Sequence, residues 1–229
     1  MKRLGLALAV AGAALAFGAP AAEATNECRG LQVCVPVAGP WVVVPSTRVD
    51  FQLSCPRGFI VGGLDAQLSD RAIDVDFLGR LGSPVSPGAT TSRAAVFRAK
   101  YVGRSPRGRS FRPHIGCIPA AGGGGGPVPY RVDATFPPGE PTLRRVRNVR
   151  LRAGSVRAVA ACGSGERLLS GWHAIGFYGP RPPSLSLIQS VSVTRMPAAG
   201  RIAVRVRSAS AIRNVRAIVQ VGALCGGGP

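Results

Sequence analysis

The stretches CPRGFIVGGLDA (Cys55 to Ala66) and CGSGERLLSGWHA (Cys162 to Ala174) repeat one phrase 107 residues apart. Cys55 laid over Cys162 puts Gly58 over Gly165. After a one-residue insertion, Ile60 to Gly63 fall over Leu168 to Gly171 and Ala66 over Ala174. Carried forward, Cys117 falls on Cys225, and the two intervals between cysteines are 62 and 63 residues. A cysteine pair that keeps both spacing and context predicts a duplicated unit. Duplication also selects among the many pairings that six cysteines allow. It favours Cys55–Cys117 and Cys162–Cys225 as equivalent long bridges and leaves Cys28–Cys34 as a local loop. A bridge closing that much chain restricts the unfolded state by about 4 kcal/mol. Zinc is the weaker reading of these cysteines: there is no Cys-x-x-Cys, and His114 and His173 stand apart from any tight cysteine pair.

All six cysteines follow an N-terminal stretch with the pattern of an export signal. Lys2 and Arg3 precede an apolar run, and Ala22-Glu23-Ala24 supplies a small-x-small cleavage pattern. The expected mature chain starts at Thr25 and contains no other stretch apolar enough to span a bilayer. An even cysteine count in an exported chain fits an oxidising compartment. The expected location is secreted, extracellular or cell-wall associated, at the outside of a bacterial cell.

Glycine and proline supply 31 and 20 of the 229 residues, and helical periodicity is weak, which suits many short strands joined by turns. Strict alternation marks strands in VPYRVDATF (Val128 to Phe136), AVFRAKY (Ala95 to Tyr101), LSLIQSVSV (Leu185 to Val193) and RIAVRVR (Arg201 to Arg207). In the last of these Ile202, Val204 and Val206 face inward, while Arg201, Arg205 and Arg207 face out. Strands covered on one face belong to antiparallel sheets. The expected fold is therefore all-β, with two tandem antiparallel β-sandwich or jelly-roll-like modules, each closed by one long-range disulfide. Residues 25–119 form the first module, residues 120–128 a glycine-rich linker and residues 129–229 the second module, after a signal peptide at 1–24.

Charge is uneven along the chain. Residues 25–80 hold five basic and six acidic side chains, whereas residues 81–229 hold twenty-two basic and three acidic. Nearly all the cations are arginine, whose planar fork suits phosphate, sulfate or carboxylate. The densest runs contain Arg104, Arg107, Arg109 and Arg112, and then Arg144, Arg145, Arg147, Arg150 and Arg152. A GC-rich genome accounts for arginine over lysine but not for the shortage of Asp and Glu after residue 80. These residues are the expected polyanion-binding set.

Chemistry is harder to find. The chain lacks a Gly-x-Ser-x-Gly elbow, a His-Glu-x-x-His and a phosphate-cradling glycine loop. Asp65, Asp70, Asp74 and Asp76 cluster, and Asp74 and Asp76 share one side of a strand, which makes them a weak calcium candidate. Trp41 and Trp172 are candidate sugar-stacking platforms, with Trp172 read instead as core because the first copy has Leu64 there; Gly63 and Gly171 are read as sites of a bulge or close strand approach. The sequence thus predicts a non-catalytic binding or structural protein without cofactor. Its expected partner is an anionic cell-surface polymer rather than intracellular nucleic acid, because aromatics suited to base stacking are sparse. A carbohydrate-binding module and a secreted hydrolase are the alternatives, and oligomeric state is left open.

Overall fold

The computed structural model describes residues 25–78, 93–104, 108–120, 141–196 and 198–226. The expected signal peptide, nearly all of the expected linker, the VPYRVDATF strand and Arg107 lie outside these residues. What is described is nearly all β. The first half contains β1 (Val35–Ala38), β2 (Trp41–Val43), β3 (Val49–Ser54), β4 (Phe59–Leu68), β5 (Ile73–Leu78), β6 (Ala94–Tyr101) and β7 (Ser110–Pro119). The second contains β8 (Pro141–Arg150), β9 (Gly154–Ala161), β10 (Arg167–Tyr178), the helix α1 (Leu185–Gln189), β11 (Val191–Met196), β12 (Arg201–Ser208) and β13 (Arg216–Gly226). Every strand pairing is antiparallel. The three disulfides are Cys28–Cys34, Cys55–Cys117 and Cys162–Cys225, as the spacing predicts, and no cysteine is free.

The pairings of the second half follow those of the first. β6 lies between β3 and β5, and β12 lies between β9 and β11. β4 pairs β7, and β10 pairs β13. Both of those ladders carry a bulge at the same place, between Val61 and Gly63 and between Leu168 and Ser170, next to the bridged cysteine. The bulges change one detail of the sequence alignment. Val61 faces Cys117 and Leu168 faces Cys225, so the insertion expected just before Ile60 is absent there. Leu64 consequently answers to Gly171, and Trp172 answers to Asp65.

The two halves share one seven-stranded sheet. The seam is β2, which pairs β7 through Val42 and Val43 and β10 through Trp41 and Val42. β1 and β2 lie in line along β7, interrupted at Gly39-Pro40, where proline has no N–H to give the ladder. Gly176 sits opposite Val42 and leaves room for the Pro40 ring. Because β2 runs antiparallel to both β7 and β10, equivalent strands of the two halves run in opposite directions, yet β4–β7 and β10–β13 follow one another in the same order across the sheet. Reversed direction in unchanged order turns their apolar rows to opposite faces of the shared sheet.

The cores show this. Sheet β3–β6–β5 covers one face, burying Phe51 and Phe97 against Val61, Phe111 and Ile115, with Ala174 and Ile218 reaching in from the second half. Sheet β9–β12–β11 covers the other face, burying Val204 and Val206 against Phe177, Val219 and Val221. Alternation along β13 assigns Ile218 to one core and Val219 to the other. The expected strand at Leu185 begins instead as helix α1, because Ser184 caps a turn by accepting from the Leu187 N–H at 3.2 Å. The strand starts at Val191.

Candidate functional site

The outer face of β9–β12–β11 carries three exposed arginines, Arg157, Arg205 and Arg207. Alternation buries Ile202, Val204 and Val206 and points Arg205 and Arg207 outward. Register then places Arg157 of β9 directly opposite Arg205, with Thr194 of β11 on its other side. Arg207 lies between Ser155 and Ser192. Directly opposed side chains on an antiparallel pair have Cβ atoms about 5 Å apart, and like charges there destabilise the sheet. Arg205 and Arg207 lie about 7 Å apart along the strand. Among the described residues neither these two nor Arg157 has an ion-pair partner. Between residues 141 and 226 the single acidic side chain is Glu166.

The equivalent face of β3–β6–β5 is neutralised. Counted from Cys55 and Cys162, Arg98 stands where Arg205 does, and Lys100 where Arg207 does. Arg98 lies between Asp50 and Asp76, and Lys100 lies opposite Asp74. Arg98 donates Nε and Nη2 to the two Asp50 oxygens at 3.0 and 3.1 Å, which holds the guanidinium above its ordinary pKa. Lys100 Nζ lies 3.1 Å from Asp74. In the second half the cations remain, but Asp50, Asp76 and Asp74 are answered by Arg157, Thr194 and Ser192. One lattice is a set of ion pairs. The other is an open cationic face lined with hydroxyls.

The arginines singled out by sequence density are dispersed and partly committed. Arg104 is exposed, Arg109 stacks on the Tyr101 ring at 3.5 Å, and Arg112 Nε donates to the Gly39 carbonyl at 3.2 Å. Arg144 is half-buried, and burial pulls its pKa down while Asp50 partly compensates. Arg145 forks onto Glu166, whose carboxyl is held below its ordinary range by that contact and by the Gly163 N–H. Arg147, Arg150 and Arg152 are exposed on β8 and its turn into β9. Sequence density missed the face because its residues come from positions nearly fifty apart. Extending the 107-residue offset upstream of the cysteines would have set Arg157 over Asp50.

The other candidates resolve as follows. Asp74 and Asp76 do share one side of β5, each opposite a cation. Asp65 accepts from the Asn26 N–H at 2.6 Å, and Asp70 from the Ala72 N–H at 2.8 Å. His114 Nε2 contacts Gln67 at 3.2 Å while Nδ1 faces Glu27 at 3.7 Å. Cys162, Glu166 and Cys225 converge, but both sulfurs are committed to the disulfide, leaving one carboxylate. Trp41 is buried, and Trp172 is half-buried with its ring over Gly222. Neither indole is an open stacking platform. Among the described residues no helix is long and apolar enough to cross a membrane. No family model, curated protein or solved structure matches the chain.

Proposed function

We propose that this is an exported, non-catalytic binding protein that holds an anionic polymer of the cell exterior on the outer face of β9–β12–β11. On this reading the halves descend from one duplicated sandwich unit, the first kept neutral and the second turned over to binding. The observation that carries it is the exchange of Asp50, Asp76 and Asp74 for Arg157, Thr194 and Ser192 around two retained cations. A face kept for stability alone gains from carboxylates at those positions; opposed arginines make sense when the ligand supplies the anions. Three disulfides fit the oxidising setting that an exterior polymer implies.

The test is retention of the full chain on heparin and on a phosphodiester wall polymer against rising salt. Three neutralised charges predict a loss of about 40-fold in affinity between 50 and 200 mM salt. Retention no greater than that of a neutral β-sandwich of similar size rejects the reading.

A further inference from the structure

We infer that the second half also carries a binding cleft for one anionic amphiphile, a single acyl chain with a phosphate head group. The cleft opens between the start of β10 and the β11–β12 end of the sandwich, with a volume of about 300 Å³. Its wall is Leu168, Met196, Ile202 and Ala203, of which Ile202 and Ala203 are buried. Its rim carries Arg195 and Arg201, both exposed. Arg195 Nη2 donates to the Gly171 carbonyl at 3.0 Å, which anchors that side chain across the gap from β11 to β10 and leaves its other N–H groups for a ligand. An apolar floor beneath two guanidinium groups matches a chain below and a charged head above.

The first half explains why the cleft exists. Register places Phe77 where Arg195 stands, Phe97 where Val204 stands and Ala94 where Arg201 stands. The Phe77 and Phe97 rings meet edge to face with centroids 5.2 Å apart. The second half has neither ring and sets cations at two apolar positions, Arg195 and Arg201, both of which line the cleft. The exchange of Phe77 for Arg195 thus takes a ring from the edge of the sheet and puts a charge there.

Calorimetric titration with monomeric lauroyl lysophosphatidylglycerol tests the site, against glycerol 3-phosphate as head without chain and dodecyl maltoside as chain without charge. The lysolipid is expected to bind at one per chain, glycerol 3-phosphate to be silent and the neutral detergent to bind about tenfold more weakly. Ala198→Trp, which fills the cleft from its turn, and Arg195→Phe, which restores the first-half ring, should each reduce lysolipid binding by at least about tenfold. Ala198→Trp should leave heparin retention unchanged. Equal binding by dodecyl maltoside, or lysolipid binding untouched by both variants, overturns the inference. So does loss of lysolipid binding in Arg157→Asp, which would place the amphiphile on the polymer-binding face instead. Retention on heparin bears on that face alone, so the two readings fail separately.

Discussion

Glu27 and His114 are buried together beneath the Cys28–Cys34 loop, on the face of β4 and β7 opposite their core. Gly63 and Gly116 are paired across those strands, and a Cβ on either would collide with the Glu27 carbonyl. Their bareness is what lets the N-terminal segment lie flat. Burial pushes the His114 pKa below its ordinary value, Glu27 and Asp65 partly restore it, and Arg112 opposes them. His173 is shifted the same way by burial and by Arg195. Both imidazoles are therefore neutral in the folded chain over a range where the unfolded chain already binds protons. Their stabilisation is complete above the unfolded pKa of about 6.5 and is lost as pH falls from there toward the folded values. Denaturation midpoints measured from pH 8 to pH 5 should fall below pH 6.5, and the His114→Gln/His173→Gln double variant should flatten that slope. A wild-type midpoint that rises on acidification contradicts the buried, neutral assignment.

At the scale of the strand, Arg157 and Arg205 make a sharp comparison with Asp50 and Arg98. Arg157→Asp sets a carboxylate beside Arg205 as Asp50 stands beside Arg98, which should raise stability by about 0.5–1 kcal/mol. The same change should elute the protein from heparin at lower salt. Stability and binding thus move in opposite directions, the mark of a face kept for a ligand. A variant that is less stable, or is retained unchanged, contradicts that assignment. The alternation in AVFRAKY and RIAVRVR made β6, β12 and their buried rows legible, because a half-buried strand writes its faces into a period of two. Which arginines oppose one another was not legible, since that depends on β9 pairing β12 across some forty residues of intervening chain. Sequence density drew attention to Arg144 and Arg145, of which one comes under the charge of Asp50 and the other pairs with Glu166 only after folding. Among the described residues the Ser184 cap produced a misread element, a helical turn inside an apparently alternating stretch.

Across the whole molecule, the bridges were legible because the copies constrain each other, whereas the seam was not. Nothing in the alternation of residues 41–43 says that β2 will pair with strands of both halves, and a five-glycine run between the copies suggests separation. The seam itself is short, two residue pairs between β2 and β10. Burial and one side chain reinforce it. Gln220 of β13 is fully buried; its Oε1 accepts from the Gln52 N–H at 2.7 Å, and its Nε2 donates to the Gln52 carbonyl at 2.9 Å. The remaining amide hydrogen goes to Asn148 Oδ1 at 3.0 Å. The amide therefore closes the free edge of β3 as a strand would, from the other half of the chain. Ile218 and Ala174 add apolar contact to the first-half core. A protease site inserted among Gly122–Gly126 should then cut the chain without releasing its halves, which should still elute together in native buffer. Gln220→Leu keeps the bulk but strands the Gln52 N–H and carbonyl, a loss of about 1–3 kcal/mol, so the nicked variant should separate at lower denaturant than the nicked parent. Halves that part in native buffer as soon as the chain is cut would mean that each sheet closes on itself, and that β2 belongs to the first half alone.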